Sequence, residues 1–238
     1  ESAHVIFTLF TQATVGAFLM LVLGDSLGLL GFSTLDSYTI HMSLVGTIFI
    51  LSTIGLFKLN MHLGKPHRFY RGFNNLRLSP VSREIAGVSM FYTGLLGYAF
   101  FAIFDNAFMS FFATIFAYLA VISGPIGLYF MYKLYRIPAR PFWDHLQTGT
   151  AFLGSMLSLG SFIIAAVSLI VLPSSALIEL IPTLASIMSV GLIVEILGHL
   201  IHARDMKTIN NEGTASHYRQ TTQYGKSYLL RNALLCLS

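Results

Sequence analysis

Charge is what this sequence most lacks. Only 10% of its 238 residues are Asp, Glu, Lys or Arg, against about 25% in an ordinary soluble chain. A water-soluble domain of this size needs a charged shell, and too little charge is present to build one. With 55% hydrophobic residues and a mean hydropathy of +0.71, a disordered chain is excluded as well. A nucleic-acid binder is excluded too, in spite of a pI near 9.2. Cysteine is nearly absent. Cys236 alone leaves no intrachain disulfide framework and no cysteine-ligated zinc or iron–sulfur cluster within the chain. The class that remains is a protein of the lipid bilayer.

Long apolar runs stand where the charges are missing. Residues 5–24, 37–57, 85–104, 106–132 and 147–178 contain no charged side chain, and 180–203 contains only Glu195. A helix crosses a hydrocarbon core of roughly 30 Å in about 20 residues, and only helices or closed barrels satisfy the backbone there. Barrel strands would alternate polar and apolar over about ten residues, which none of these runs does. The expected fold is all-α: a polytopic membrane helix bundle, one domain over 1–238, with six full transmembrane helices plus the start of a seventh. Gly124-Pro125 is expected to kink the fourth helix. Pro173-Ser174-Ser175 is expected to end the fifth, and Pro182 to sit in the first turn of the sixth. The apolar segment 227–238 is too short to span, so it either docks at the surface or begins the seventh helix. Glu1 in place of Met suggests a piece of a longer product.

The few charges are placed unevenly. Numbering the connections alternately as sides X and Y, with the amino terminus on X, puts thirteen of the fourteen Lys and Arg residues on X. Side Y carries Asp25, Asp36, Asp105 and Glu179 and no basic residue. The positive-inside rule makes X cytoplasmic. A basic face also docks acidic protein surfaces, so a partner covering X explains the same asymmetry.

The richest stretch follows the second run, from Lys58-Leu59-Asn60-Met61-His62-Leu63-Gly64-Lys65-Pro66-His67-Arg68 to Ser79-Pro80-Val81-Ser82-Arg83-Glu84. Lys58 and His62, four apart, share a helix face at the membrane boundary. Gly64 and Pro66 stop that helix, and Ser82 with Arg83-Glu84 is expected to start the next, with an acid near its positive end. His62 and Glu84 then leave and enter the membrane at one depth. Such a pair can exchange protons with a bound quinone, because imidazole titrates near neutrality. The plainer reading is a surface histidine and a helix-end acid.

Glu195 is the second candidate, roughly 10 Å deep by helical rise, where an ionisable group is expensive. His199 follows one turn on and His202 one turn further, a stripe that suits a proton path, a quinol pocket or a hydrogen bond between helices. Axial haem ligation would need histidines of facing helices at matched depth. His41 near side Y has no evident mate, whereas His62, His199 and His202 near side X leave one haem there open.

His62-Leu63-Gly64-Lys65-Pro66 followed by Ser82-Arg83-Glu84-Ile85-Ala86 resembles the membrane-anchor subunit of the dimethyl sulfoxide reductase family. The opening Ile6-Phe7-Thr8-Leu9-Phe10-Thr11-Gln12 resembles that family's first helix. Val194-Glu195-Ile196-Leu197-Gly198-His199 resembles its late motif, with Val in place of Gly and His in place of Arg. Family anchors have eight helices, so the chain looks short at its carboxyl end.

The resemblance implies a quinone-reactive anchor without haem or metal, set in a bacterial or archaeal cytoplasmic (inner) membrane. It implies two partners: an iron–sulfur electron-transfer subunit and a molybdopterin catalytic subunit, which hold the iron–sulfur clusters and the molybdenum. The family's quinol-site residues fall on His62 and Glu84; Glu195 matches the late motif, and nothing carries across for His199. By their placement in this sequence, Lys58, Glu195 and His199 are further candidates for a site for quinone or menaquinone. Lys65, Arg68, Arg71 and Arg77 are then expected to dock the partner. Sulfoxide or N-oxide reduction is the family's default chemistry. The rival readings are a small transporter or proton channel using Glu195 and the interfacial histidines, weakened by the lack of internal repeats, and a b-type haem cytochrome.

Overall fold

The apolar runs coil into helices because a helix satisfies its backbone internally. The computed structural model describes residues 2–62, 65–208 and 212–237, and among these its regular structure is entirely helical. The helices are α1 (Ser2–Leu23), α2 (Tyr38–His62), α3 (Pro80–Phe101), α4 (Ala107–Tyr135), α5 (Leu146–Val171), α6 (Ser174–Thr208), α7 (Glu212–Thr222) and α8 (Gly225–Leu237). Short 3₁₀ segments, Phe32–Asp36 and Pro66–Phe73, interrupt two connections.

Five helices, α1, α2, α4, α5 and α6, are long and apolar enough to cross a membrane. At 22 residues α3 matches α1 in length, but Arg83, Glu84, Tyr92, Thr93 and Tyr98 make it more polar. It nevertheless lies antiparallel along α4. Gly87 meets Gly127, Gly94 meets Ala120 and Phe116, and Phe101 stacks on Phe112 with ring centroids 5.3 Å apart.

Helix α1 occupies the centre, packed by α5, α2 and α4, while α3 rests on α4 and α6 on α5. Phe18, Leu44, Ile48, Leu95, Ile164 and Leu184 form the enclosed core. Ile50, Phe111, Ile122, Phe162, Ile170 and Leu200 point outward, as a lipid-facing surface requires.

In hydrocarbon the helices gain little from hiding apolar surface from one another, so small residues that allow close approach hold them. Between α5 and α6, a Cβ on Gly154 would stand 2.6 Å from the Gly191 carbonyl oxygen, and one on Gly191 would stand 2.8 Å from that of Gly154. On side Y, Gly31 takes a left-handed φ of 81° and tucks against Leu180 at the start of α6.

Two boundaries differ from expectation. Pro182 is the ninth residue of α6 rather than part of its first turn. The Pro173 carbonyl accepts from the N–H groups of Ala176 and Leu177, so the helix starts early and Pro182 costs it one interior backbone bond. Helix α3 also starts early, at Pro80: the Ser79 hydroxyl oxygen accepts from the Ser82 N–H at 3.3 Å, and Pro80 pre-sets the first turn. Glu84 therefore falls beyond the first turn, where it does not serve the helix end. Helix α4 runs unbroken through Pro125. The terminal apolar segment forms α8, 13 residues long, which leans on α7 and α6.

The glycine contacts make a paired prediction. Gly191→Leu should wedge α5 from α6 and cost about 1–3 kcal/mol, lowering the unfolding midpoint in detergent. Gly46→Ala, where no atom lies within 4 Å of the added Cβ, should be neutral or stabilise by up to about 1 kcal/mol.

Candidate functional site

The break after α2 creates the site. Pro66 cannot continue the α2 hydrogen-bond ladder, so the polypeptide folds into the Pro66–Phe73 segment, which lies across the X ends of α2 and α3. Gly72 closes over Ile85, where a Cβ would come within 2.7 Å of its Cδ1. Beneath this strap is a cavity of about 390 Å³ walled by α1, α2, α3 and α4. Its surface is mostly apolar: Phe7, Leu59, Phe69, Val81, Ile85 and Leu134 contribute alongside His4, Lys65, Arg68 and Glu84.

Glu84 is half-buried in that wall, one residue before the charge-free stretch. Burial pushes its carboxyl up to about 7, since leaving water penalises the ionised form. A carboxyl of that kind holds or releases a proton near neutral pH, as acid–base chemistry requires.

The other expected residues scatter. His62 closes α2, but its side chain lies outside the described residues, as do Leu63 and Gly64, so the His62–Glu84 pairing does too. Lys58 is exposed on the last turns of α2 and is not among the described cavity-lining residues. Lys65 and Arg68, expected to dock a partner, line the cavity; Arg71 and Arg77 are exposed on the strap and the loop after it. Arg83 pins that loop, donating from Nε to the Leu76 carbonyl at 2.8 Å and from Nη2 to the Arg77 carbonyl, with its guanidinium 5.4 Å from the Phe130 ring centre. His4 was not anticipated. Its signal was its position one turn before the buried Phe7, on the same face of the first run.

The model of the family described as DMSO reductase anchor subunit (DmsC) matches residues 1–238. The chain belongs to this family. It is also 29% identical over 152 residues to the C subunit of the anaerobic dimethyl sulfoxide reductase of Haemophilus influenzae. That alignment covers 64% of the present sequence and 53% of the relative, so the protein spans about half the length of the curated relative it matches. No solved structure matches it.

In this member of the DMSO reductase anchor family, Glu195 and His199 stand apart from the Glu84 cavity, because α6 packs on α5 and contributes none of the described cavity-lining residues. Glu195 Oε1 lies 3.8 Å from His199 Nε2, and His199 Nδ1 is 3.2 Å from Gln147 Nε2. Nearer the X surface, His145 Nε2 pairs with Asp205 at 3.0 Å while its Nδ1 accepts from the Gln147 N–H and so caps α5. His202 Nε2 bonds the Phe142 carbonyl at 3.0 Å. The His202 ring lies 5.0 Å from that of His145 and 6.3 Å from that of His217, which in turn lies 6.2 Å from Tyr228. This layer ties α5 through α8 together. Among the described residues, no group of three or more His, Cys, Asp or Glu is placed to hold a metal ion. Near side Y, His41 bonds the Tyr98 hydroxyl at 2.5 Å through Nε2 and the Leu35 carbonyl at 3.3 Å through Nδ1, so both ring nitrogens are engaged.

Burial, with Lys207 nearby, holds the His217 imidazole below its ordinary 6.5, and its Nδ1 has no partner among the described residues. A folded value below the unfolded one means stability that is present above 6.5 and lost as pH falls. Hydrogen-exchange protection factors in α7, taken relative to the intrinsic rate at each pH, should fall on acidification below about pH 6.5, and His217→Gln should flatten that dependence. An unchanged profile in the variant would remove His217 as its source.

Proposed function

We propose that the protein is the quinone-reactive membrane anchor of a molybdenum- and iron–sulfur-containing oxidoreductase. In this reading six helices cross the membrane, α3 among them, because its antiparallel run along α4 carries it through the same thickness. The basic X face is cytoplasmic by the positive-inside rule, in a bacterial or archaeal inner membrane. There it docks an iron–sulfur subunit, which passes electrons to or from a molybdopterin subunit. Arg71 and Arg77, exposed beside the cavity, suit an acidic partner surface. The name of the Haemophilus influenzae relative supports a dimethyl sulfoxide reductase-type complex.

The observation that carries this reading is a half-buried carboxyl in a mostly apolar cavity facing the basic side. About 390 Å³ lies within the roughly 300–1,000 Å³ of small-molecule sites. Phe7, Leu59, Val81, Ile85 and Leu134 suit a quinone ring and the start of its tail. Oxidising a quinol releases two electrons and two protons. The Glu84 carboxylate accepts a proton from a quinol hydroxyl, and a group titrating near 7 is well matched to that transfer. Lys65 and Arg68 favour the negative charge that develops on the quinol oxygen as it loses its proton. His62, at the end of α2, completes the proton-handling pair by relaying onward the proton that Glu84 takes, and Lys58 lies one turn before it. Glu195 and His199 hold α5 to α6 and are not part of the quinol cavity in this reading.

Glu84→Gln keeps the shape and removes the base. Turnover of the assembled complex with quinol should fall about a hundredfold, while turnover with a soluble dye that bypasses the membrane subunit should persist. In the unsubstituted protein the quinol rate should rise with pH through about 7 as the carboxyl ionises, and that limb should vanish in the variant. Loss of both activities, or of neither, would sink the assignment. Co-purifying iron and molybdenum subunits support the anchor; a homo-oligomer alone points to the transporter.

A further inference from the structure

Two protons leave each quinol, and one carboxylate takes one of them. The described groups facing the cavity that carry or gain charge are His4 on α1, Lys65 and Arg68 at the strap, and Glu84 on α3; Leu59 of α2 and Leu134 of α4 do not titrate. Lysine and arginine are cations at neutral pH and accept no proton. Imidazole is the side chain whose charge changes between about pH 5 and 8.

The position of His4 fits a route outward. It lies one helical turn before Phe7, on the same face; Phe7 is 4% exposed and lines the same cavity. His4 itself is exposed, so its ring stands between the apolar void and the water of side X. Glu84 reaches the void from another helix.

We propose that His4 is a catalytic residue of this site: its imidazole takes the second quinol proton and passes it to water on side X. The proposal rests on the quinol reading above. The step balances: both O–H bonds of the quinol break, one proton goes to the Glu84 carboxylate and one to the His4 imidazole, and two electrons leave to the partner's iron–sulfur acceptor. Quinone remains. His4 then returns its proton to bulk water and is ready for the next turnover.

The test uses the assembled membrane complex with a water-soluble short-tailed quinol, alongside dye-coupled turnover as a measure of intact assembly. His4→Gln should lower the quinol kcat at least tenfold with a smaller change in KM and no loss of dye activity. In His4→Ala, which leaves the space of the ring open to solvent, added imidazole should restore much of the rate. Glu84→Gln, measured in parallel, separates the two ideas. If it lowers quinol turnover while His4→Gln does not, His4 is no proton acceptor and the quinol site stands. If Glu84→Gln leaves quinol turnover intact, the site itself is wrong. A rate loss in His4→Gln with an unchanged pH profile, together with a loss in His4→Ala that imidazole fails to rescue, would reduce His4 to a structural role and overturn the proposal.

Discussion

A peptide N–H or C=O inside hydrocarbon has no water to bond, so each finds its partner within its own helix. That requirement makes every apolar run here a helix and leaves those helices to be held by something other than water exclusion. Close packing does it. Gly154 and Gly191 bring the α5 and α6 backbones together, Gly87 and Gly127 do the same for α3 and α4, and Gly160 admits the backbone of α1. Contacts this close leave little freedom of rotation or slide, so they also decide where the helix ends lie on side X.

At those ends water returns, and the bundle uses its polar groups in two different ways. Over α5 to α8 a set of polar side chains is paired: His145 with Asp205, His199 with Gln147, His202 with the Phe142 carbonyl. Such a layer fastens elements together. Over α1 to α4 the strap shelters a void into which Glu84 and two cations project. The half-buried carboxyl there is shifted to titrate near neutrality, a property suited to chemistry rather than to joining helices. Thus α1, at the centre, carries His4 and Phe7 on the cavity wall and Gly16 and Ala17 against Gly160 of α5.

Much of this was legible in sequence because the bilayer turns composition into geometry. Runs with one charge or none located α1 to α6 to within seven residues at either end, and the crowding of basic residues marked one face. Glu84 and Lys65 stood out through the turn chemistry around Pro66. Helix ends were less legible, since caps compete over neighbouring positions. Ser79 with Pro80 outranked Ser82 as the start of α3, and the carbonyl of Pro173 began α6 well before Pro182.

The sequence by itself determined that this is a helical membrane protein with one basic face, because hydropathy and charge act along the polypeptide and need no partner. Only the tertiary structure decided which polar residues meet. Glu195 and His199 have the look of a site on one helix, yet the packing of α6 on α5 turns His199 to Gln147 and sets Glu195 against Gly154, away from Glu84. His4 looked like an unremarkable residue near the start of the sequence, yet the central place of α1 brings it to the cavity wall. Proximity between helices depends on which faces pack together, and that is set by small-residue contacts at positions far in sequence from the residues they bring together.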